Sequence, residues 1–222
     1  MSTRVRFFVD GFNVYHAVRE TARRTGIDCR WLDLTSLCEA TLYLVDPQAV
    51  AAGVDYYSAL AHHLDAVRPG TVARHRLYLA ALRARGVSTH LGLFKPKEVR
   101  YHSRTCDVVL RRHEEKETDV AMAAALVEAA SSGACDAIGL LSGDTDLLPA
   151  LKAARRLNPG LKLICLFPPY RANRAFRAVV DADFKISPSR LAEHLLPEAV
   201  IGADGRVLAR PAEWRQASGS QA

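Results

Sequence analysis

Short apolar runs alternate with amphipathic segments along most of this 222-residue chain. The runs are rich in Val, Ile, Leu, Phe and Tyr, which is the composition of strands buried on both faces of a sheet. They occupy residues 5–9, 54–60, 87–94, 135–141, 161–167 and 182–186. Consecutive strands that are joined through helices pair in parallel by right-handed crossovers. The alternation therefore predicts an α/β fold with a central parallel sheet and helices on both faces.

Capping residues and turn residues indicate where the intervening helices begin and end. Asn13 is the predicted cap of the first helix and Gly26 its stop, while Asp144 or Thr145 is predicted to cap the helix after the fourth parallel strand. The acidic residues 114–119 are expected to form the first turn of a long helix, because the helix dipole favours negative charge there. The helical patterns cover residues 14–24, 71–85, 120–130, 147–157 and 171–181.

Length and composition fit one globular domain. Hydrophobic residues make up 49% of the chain and charged residues 24%, which is an ordinary balance for a globular protein. No stretch along the chain has the composition of an interior linker. We expect one domain over residues 1–196, with a small insertion near residues 95–113. Residues 197–222 are expected to form a C-terminal extension that is partly disordered, since chain ends are held by few contacts.

Charge, cysteine content and the lack of a long apolar stretch bear on the partners and the cellular location of the protein. Lys and Arg outnumber Asp and Glu by 30 to 24, for a net charge of +6, which mildly favours a polyanionic partner. The five cysteines form no Cys-x-x-Cys pair, so neither a disulfide framework nor a zinc site is predicted. The N-terminus runs directly into a strand and no apolar stretch has the length of a membrane span. These features predict a cytoplasmic protein with no membrane partner.

The insertion near residues 95–113 alternates basic residues with apolar or aromatic ones, which predicts a projecting β-hairpin. Positive charge beside an aromatic ring is the usual equipment for binding single-stranded nucleic acid. An ordinary solvated hairpin is the alternative reading, and the sequence leaves both open. The candidate nucleic-acid-binding residues are Lys95, Lys97, Arg100, Tyr101, Arg104, Arg111 and Arg112.

Carboxylates follow two of the predicted strands. Asp10 ends the first strand, and Asp144 and Asp146 follow the fourth; an isolated Asp-x-Asp is more often a helix cap than a site. If those strands are central neighbours, the three acids share one crevice. Asp119 can reach the same crevice from the helix that precedes the fourth strand. Lys116, one turn earlier on the same face, could neutralise the cluster. Converging carboxylates repel unless a cation lies among them, and oxygen ligands favour Mg²⁺ or Mn²⁺. Such sites activate water for phosphodiester hydrolysis.

Three sequence blocks, residues 8–13, 116–121 and 142–149, resemble the signature blocks of the NYN domain, a PIN-like nuclease family with a Rossmannoid fold that includes LabA-like bacterial proteins. The resemblance covers roughly residues 4 to 190. Leu147 departs from the Phe common in the family, and the hairpin has Cys106 alone, so the zinc insertion of some relatives is not expected. By this resemblance the metal-site acids are Asp10, Asp119, Asp144 and Asp146. By the same resemblance Asn13 would position the substrate or a metal-bound water, and Ser142 would support the loop. Thr145, as a capping residue, can start the helix while its acidic neighbours hold the ion.

The leading hypothesis is therefore an Mg²⁺- or Mn²⁺-dependent endoribonuclease that acts on single-stranded or structured RNA. The alternative is a non-catalytic PIN-like module that binds RNA or regulates, although a pure binder gains nothing from clustering negative charge near a polyanion. Haloacid-dehalogenase chemistry is disfavoured because the block at Asp10 lacks a second acid. A dinucleotide fold is disfavoured because G-x-G-x-x-G is absent, and no histidine has the context of a Ser-His-Asp triad. The sequence leaves a homo-oligomer open.

Overall fold

A seven-stranded sheet with one antiparallel edge strand forms the centre of the molecule. The computed structural model describes residues 2–103 and 106–215; residues 99–103, 106–108 and 110–112 are described by their backbone alone. The strand order is β4-β3-β2-β1-β5-β6-β7, and all neighbours are parallel except β3 and β4. The strands are β1 (Arg4–Asp10), β2 (Val50–Ala59), β3 (Val87–Ser103), β4 (Cys106–Lys116), β5 (Ala137–Leu141), β6 (Lys162–Phe167) and β7 (Ala182–Lys185).

Helices cover both faces of this sheet, as the alternating pattern predicts. The central strand β1 shows why: Phe7 and Val9 point into one apolar cluster and Phe8 into the other. The first cluster packs against α1, α2 and α3, and the second against α4 and α5. The helices are α1 (Gly11–Thr25), α2 (Leu34–Glu39), α3 (Thr71–Ala84), α4 (Thr118–Ser132), α5 (Leu148–Leu157) and α6 (Pro188–Glu193).

The order of the strands places β1 where the chain changes direction across the sheet. From β1 the chain adds β2, β3 and β4 on one side, and then β5, β6 and β7 on the other. Val9 of β1 lies opposite Leu141 of β5 in a parallel register. The condition on which the convergence of the acids depends, that the first and fourth parallel strands are central neighbours, is therefore met. Open α/β sheets bind ligands at this kind of switch point, beyond the carboxyl ends of the strands.

The predicted hairpin is confirmed and is longer than the sequence indicates. The first part of β3 pairs with β2 in parallel, from Val87 to Gly92. From Leu93 onward the same strand leaves the body and pairs with β4 in an antiparallel register, down to Ser103 opposite Cys106. One continuous strand thus belongs both to the sheet and to the hairpin, and this fixes the base of the hairpin beside the carboxyl end of β2.

Three local predictions are wrong, and a competing contact explains the first two. Asp10, not Asn13, caps α1, because the Asp10 carboxylate accepts the Asn13 N–H. Residues 114–116 belong to β4 rather than to a helix, because cross-strand pairing with β3 outweighs their helical preference. Residues 171–181 contain only a short 3₁₀ turn, Arg174–Ala178.

Residues that follow the sheet pack back onto the body. Two short strands, β8 (Ala199–Ile201) and β9 (Val207–Ala209), pair with one another. The Trp214 ring lies 6.1 Å from the Trp31 ring, and the Trp31 Nε1–H donates to the Pro197 carbonyl at 2.8 Å. Within the described ranges, no helix combines the length and the apolar composition needed to cross a bilayer.

Candidate active site

The Asp10 side chain lies at the carboxyl end of β1 and is almost fully buried, with 3% of its surface exposed. One carboxylate oxygen accepts the Asn13 N–H at 2.9 Å, and the other accepts the Ser142 hydroxyl at 2.7 Å. These two donors stabilise a charge that burial disfavours. Burial raises the pKa of Asp10 most strongly, the two hydrogen bonds lower it, and the nearby Asp144 charge raises it again.

The Ser142 hydroxyl connects the two central strands. It donates to Asp10 and accepts the Asp144 N–H at 3.0 Å, and the residue is fully buried. Asp144 in turn caps the short 3₁₀ turn Thr145–Leu147, since its Oδ1 accepts the Asp146 N–H at 3.0 Å. Asp144 therefore caps the turn that leads into α5, whereas α5 begins after Leu147 without a side-chain cap, and the predicted capping by Thr145 is wrong. Ser142 therefore couples the position of Asp10 to the start of the acidic loop.

The loop after β5 is held on both sides by backbone contacts. The Gly143 N–H donates to the Asn13 Oδ1 at 3.1 Å. A Cβ at Gly143 would lie 1.9 Å from the Arg171 carbonyl oxygen, so a side chain here would collide with the loop that follows β6. Asn13 thus ties the start of α1 to the acidic loop, and the absence of a side chain at Gly143 lets the β6 loop approach.

Asp119 enters from the first turn of α4, and two features of the chain bring it there. A Cβ at Gly92 would lie 2.5 Å from the Thr118 hydroxyl, so glycine lets the helix start close to the sheet edge. Glu117 has a φ of 82°, a left-handed conformation that reverses the chain between β4 and α4. The Glu115 carboxylate accepts the Thr118 N–H at 3.0 Å and supports the first turn of the helix.

Electrostatics show that the four predicted acids share one environment. The pKa of Asp119 is raised to about 6, first by burial and then by the negative charges of Asp10, Glu115, Asp144 and Asp146. Like charges at short range raise a carboxyl pKa because each disfavours ionisation of the others. Acids from β1, α4 and the β5 loop are therefore close enough to interact, as the strand order predicts.

The donor set fits a hard divalent cation. All four side chains offer carboxylate oxygens, the ligands that Mg²⁺ and Mn²⁺ prefer. Within residues 2–103 and 106–215, no three His, Cys, Asp or Glu side chains are already arranged at coordinating distance. Mg²⁺ sites commonly use one or two protein carboxylates and keep several waters, so a set of repelling acids around the buried Asp10 meets the requirement.

The predicted basic residues have mixed outcomes. Lys95 Nζ lies 3.6 Å from Glu117, and Lys97 Nζ lies 2.8 Å from Glu114, so both carry a carboxylate partner. Lys116 Nζ also pairs with Glu114, at 3.2 Å, and not with the acids it was expected to neutralise. Arg104 lies outside the described residues. The side chains of Arg100, Tyr101, Arg111 and Arg112 are likewise outside the described part of the hairpin.

Sequence reasoning missed three residues near the acids. Glu115 adds a fifth negative charge to the environment of Asp119. Burial lowers the pKa of His16 on α1, and the positive charges of Arg171 and Arg19 lower it further, while Asp10 opposes them. Arg171 therefore lies near the sheet edge that carries Asp10. Its Nε is buried without a hydrogen bond, and the described residues offer its guanidinium no ion-pair partner. The sequence signal that could have pointed to Arg171 is its position two residues after the Pro168-Pro169 pair, in the loop that follows β6.

Comparisons with known proteins were consistent with this architecture. The model of the NYN domain family matches residues 4–187. Among solved structures, a protein of unknown function from Vibrio parahaemolyticus RIMD 2210633 superposes with a TM-score of 0.54 at 20% identity, covering 88% of this chain and 97% of that one. At this identity the likeness shows a shared fold. Comparison with curated proteins gave no match.

Proposed function

The chain belongs to the NYN domain family, and we propose that it is a metal-dependent ribonuclease that hydrolyses phosphodiester bonds of RNA. NYN domains are PIN-like domains of nuclease type, which makes action on nucleic acid the starting expectation. The proposal names RNA as the substrate, Mg²⁺ or Mn²⁺ as the cofactor, and the sheet edge at Asp10 as the active site. The proposed domain covers residues 1–196.

The observation that supports this most strongly is the shared electrostatic environment of Asp10, Asp119, Asp144 and Asp146. Three separate elements bring these acids together, and their mutual repulsion raises the pKa of Asp119 to about 6. In a protein that only bound a polyanion, such a cluster would lower the affinity, because the carboxylates repel phosphate. A divalent cation removes the repulsion and attracts the phosphate as well.

The residues divide into those that hold the cation and those that keep them in place. We assign Asp10, Asp119, Asp144 and Asp146 as the groups that hold it. When bound, a divalent cation in such a site activates water and stabilises charge on the phosphoryl oxygens. Ser142 and Asn13 are positioning residues.

Phosphate binding requires positive charge near the acids. Arg171 is suited to it, because its backbone packs on Gly143 and no carboxylate in the described ranges pairs with its guanidinium. The net charge of +6 supports long-range attraction of RNA to the molecule as a whole. We expect Arg171 to contact a phosphate next to the bond that is cleaved.

Cleavage of labelled RNA in Mn²⁺ tests the proposal. Asp144→Asn should lose at least about a hundredfold in rate, since one charged ligand of a metal site is removed. Asp204→Asn, in an exposed turn far along the chain, is the matched control and should cleave at the wild-type rate. Equal rates for the wild type and Asp144→Asn would contradict the proposal. RNA binding without cleavage by the wild type would support the non-catalytic alternative.

A further inference from the structure

Four aromatic rings from four different elements form a continuous row at the base of the hairpin. We call Phe12, Phe94, His63 and His113 the aromatic row. The Phe12 and Phe94 rings meet edge to face with centroids 5.7 Å apart, and Phe94 meets His63 at 4.7 Å. His63 and His113 stack in parallel, with centroids 4.2 Å apart and planes only 6° from one another. The row is thus a single contact chain that ends in a parallel stack.

The row starts beside the acids and ends on the hairpin. Phe12 is two residues after Asp10, in the first turn of α1. Phe94 lies where β3 leaves the sheet, opposite Glu115 of β4. His113 lies on the strand that leads into α4, which carries Asp119. A flexible chain that lies along this row therefore has one end at the candidate active site.

Exposure distinguishes the row from a core cluster. Phe12, His63 and Phe94 are half-buried, and His113 is exposed. His63 covers one face of the His113 ring, so a further ring would stack on the opposite face. Burial and the neighbouring His113 lower the pKa of His63, which favours the uncharged form of the ring in the stack.

A role limited to packing does not account for a histidine at position 63. The His63 Nδ1 is buried, and it has no hydrogen-bond partner among the described residues. An unpaired buried nitrogen is costly, and Phe or Leu would fill the same space without that cost. An exposed parallel stack extends by adding a further planar ring, and nucleobases are the planar rings that an RNA strand carries.

We propose that the aromatic row is a stacking platform for the bases of single-stranded RNA, which guides the strand from the hairpin to the acids. This inference rests on the proposed action of the domain on RNA and adds a preference for unpaired strands. Bases inside a duplex are stacked on one another and do not offer a free face, so paired RNA should not use the platform. Stacking is tolerant of sequence, so no strong base preference is expected.

Binding measurements test the platform separately from cleavage. The probes are a fluorescently labelled short oligouridylate and an abasic oligomer with the same phosphates, read by anisotropy on the full chain with Asp144→Asn to prevent turnover. His113→Ala added to this protein should bind oligouridylate about fivefold or more weakly, the typical effect of losing one base–aromatic stack. Its affinity for the abasic oligomer should not change. His62→Ala, at an exposed neighbour of His63, is the matched control.

A second variant keeps the test independent of folding. His113→Tyr retains an aromatic ring, so it should retain oligouridylate affinity if stacking is the cause. Equal affinities of the parent protein for oligouridylate and the abasic oligomer would overturn the platform, as would equal weakening of both by His113→Ala. RNA cleavage by the wild type, measured alone, reports on the proposed nuclease. Cleavage without base-dependent binding would support the proposed nuclease and contradict the platform. Base-dependent binding without cleavage would support the platform and contradict the proposed nuclease.

Discussion

Replacing Asp119 by Asn should stabilise the metal-free protein while removing its activity. The Asp119 carboxylate is half-buried among four other acids, and its pKa is raised from 3.8 to about 6. Asn has the shape of the protonated carboxyl group and carries no charge. The substitution therefore removes electrostatic repulsion from the folded state.

The magnitude and the pH dependence follow from this shift. The rise of the Asp119 pKa from 3.8 to about 6 corresponds to about 3 kcal/mol for a group that is fully shielded from solvent. Solvent screens a half-buried acid, so we expect Asp119→Asn to raise the free energy of unfolding by about 1 kcal/mol at pH 7.5. The folded state holds the Asp119 proton up to about pH 6, and the unfolded state holds it only up to about pH 3.8. The loss of stability caused by the Asp119 charge is therefore complete above about pH 6 and absent below about pH 3.8.

Urea unfolding of both proteins in EDTA, at pH 7.5 and at pH 4, measures this difference. The variant should be the more stable protein at pH 7.5, and the difference should shrink at pH 4. Addition of Mn²⁺ should then stabilise the wild type and have less effect on Asp119→Asn. Asp204→Asn is the control for a carboxylate in an exposed turn. A variant less stable than the wild type at pH 7.5 in EDTA would refute the proposed convergence of charge.

Three further predictions concern the supports of the site and the core. Ser142→Ala should destabilise the protein by about 1–3 kcal/mol in urea unfolding, because Asp10 loses a donor and the Asp144 N–H loses its acceptor; a loss under about 0.5 kcal/mol would speak against this. Gly143→Ala should lower the free energy of unfolding by about 1–3 kcal/mol, because the new Cβ collides with the Arg171 carbonyl. Gly160→Ala is the control and should not destabilise the protein, because no atom lies nearer than 3.7 Å to the new Cβ. Equal melting temperatures of the two variants would contradict the close approach at Gly143. Burial lowers the pKa of His75 to about 4, so stability should fall as pH falls from 6.5 to 4, by at most about 3 kcal/mol. His75→Gln should flatten that dependence in melting curves, and an unchanged slope would show that His75 is not its source.

The sheet was predictable because its signals are local and repeated. Runs such as residues 161–167 are too apolar for an exposed strand, and the helices between them require parallel pairing. That rule places Asp10 and Asp144 at the same edge of the sheet. Their convergence depends further on the two strands being central neighbours, a condition that the sequence leaves open and the observed strand order meets.

Two of the errors occur where a hydrogen bond or a strand pairing outweighs the local preference of the residues. Asn13 is a good cap by its residue type, yet Asp10 is in reach and its buried carboxylate needs the donor. Glu114 and its neighbours favour a helix start, but pairing with β3 extends the strand to Lys116. Tertiary contact overrides intrinsic preference at such positions.

Features that depend on side-chain contact across the chain had no sequence signal. His63 and His113 are 50 positions apart, and nothing in the neighbourhood of either suggests a stack. The collision that requires Gly143 to be glycine involves the Arg171 carbonyl, which belongs to another loop. These contacts depend on how the hairpin and the β6 loop return to the sheet edge.

The central claim is that carboxylates from β1, α4 and the β5 loop hold one divalent cation site. An anomalous difference map from crystals grown in Mn²⁺ tests it most directly. We predict a peak at the carboxyl end of β1, about 2.1 Å from a carboxylate oxygen of Asp10 or Asp144, and no such peak for Asp144→Asn. Mn²⁺ bound to other carboxylates of the same crystal, with none at this edge, would contradict the claim.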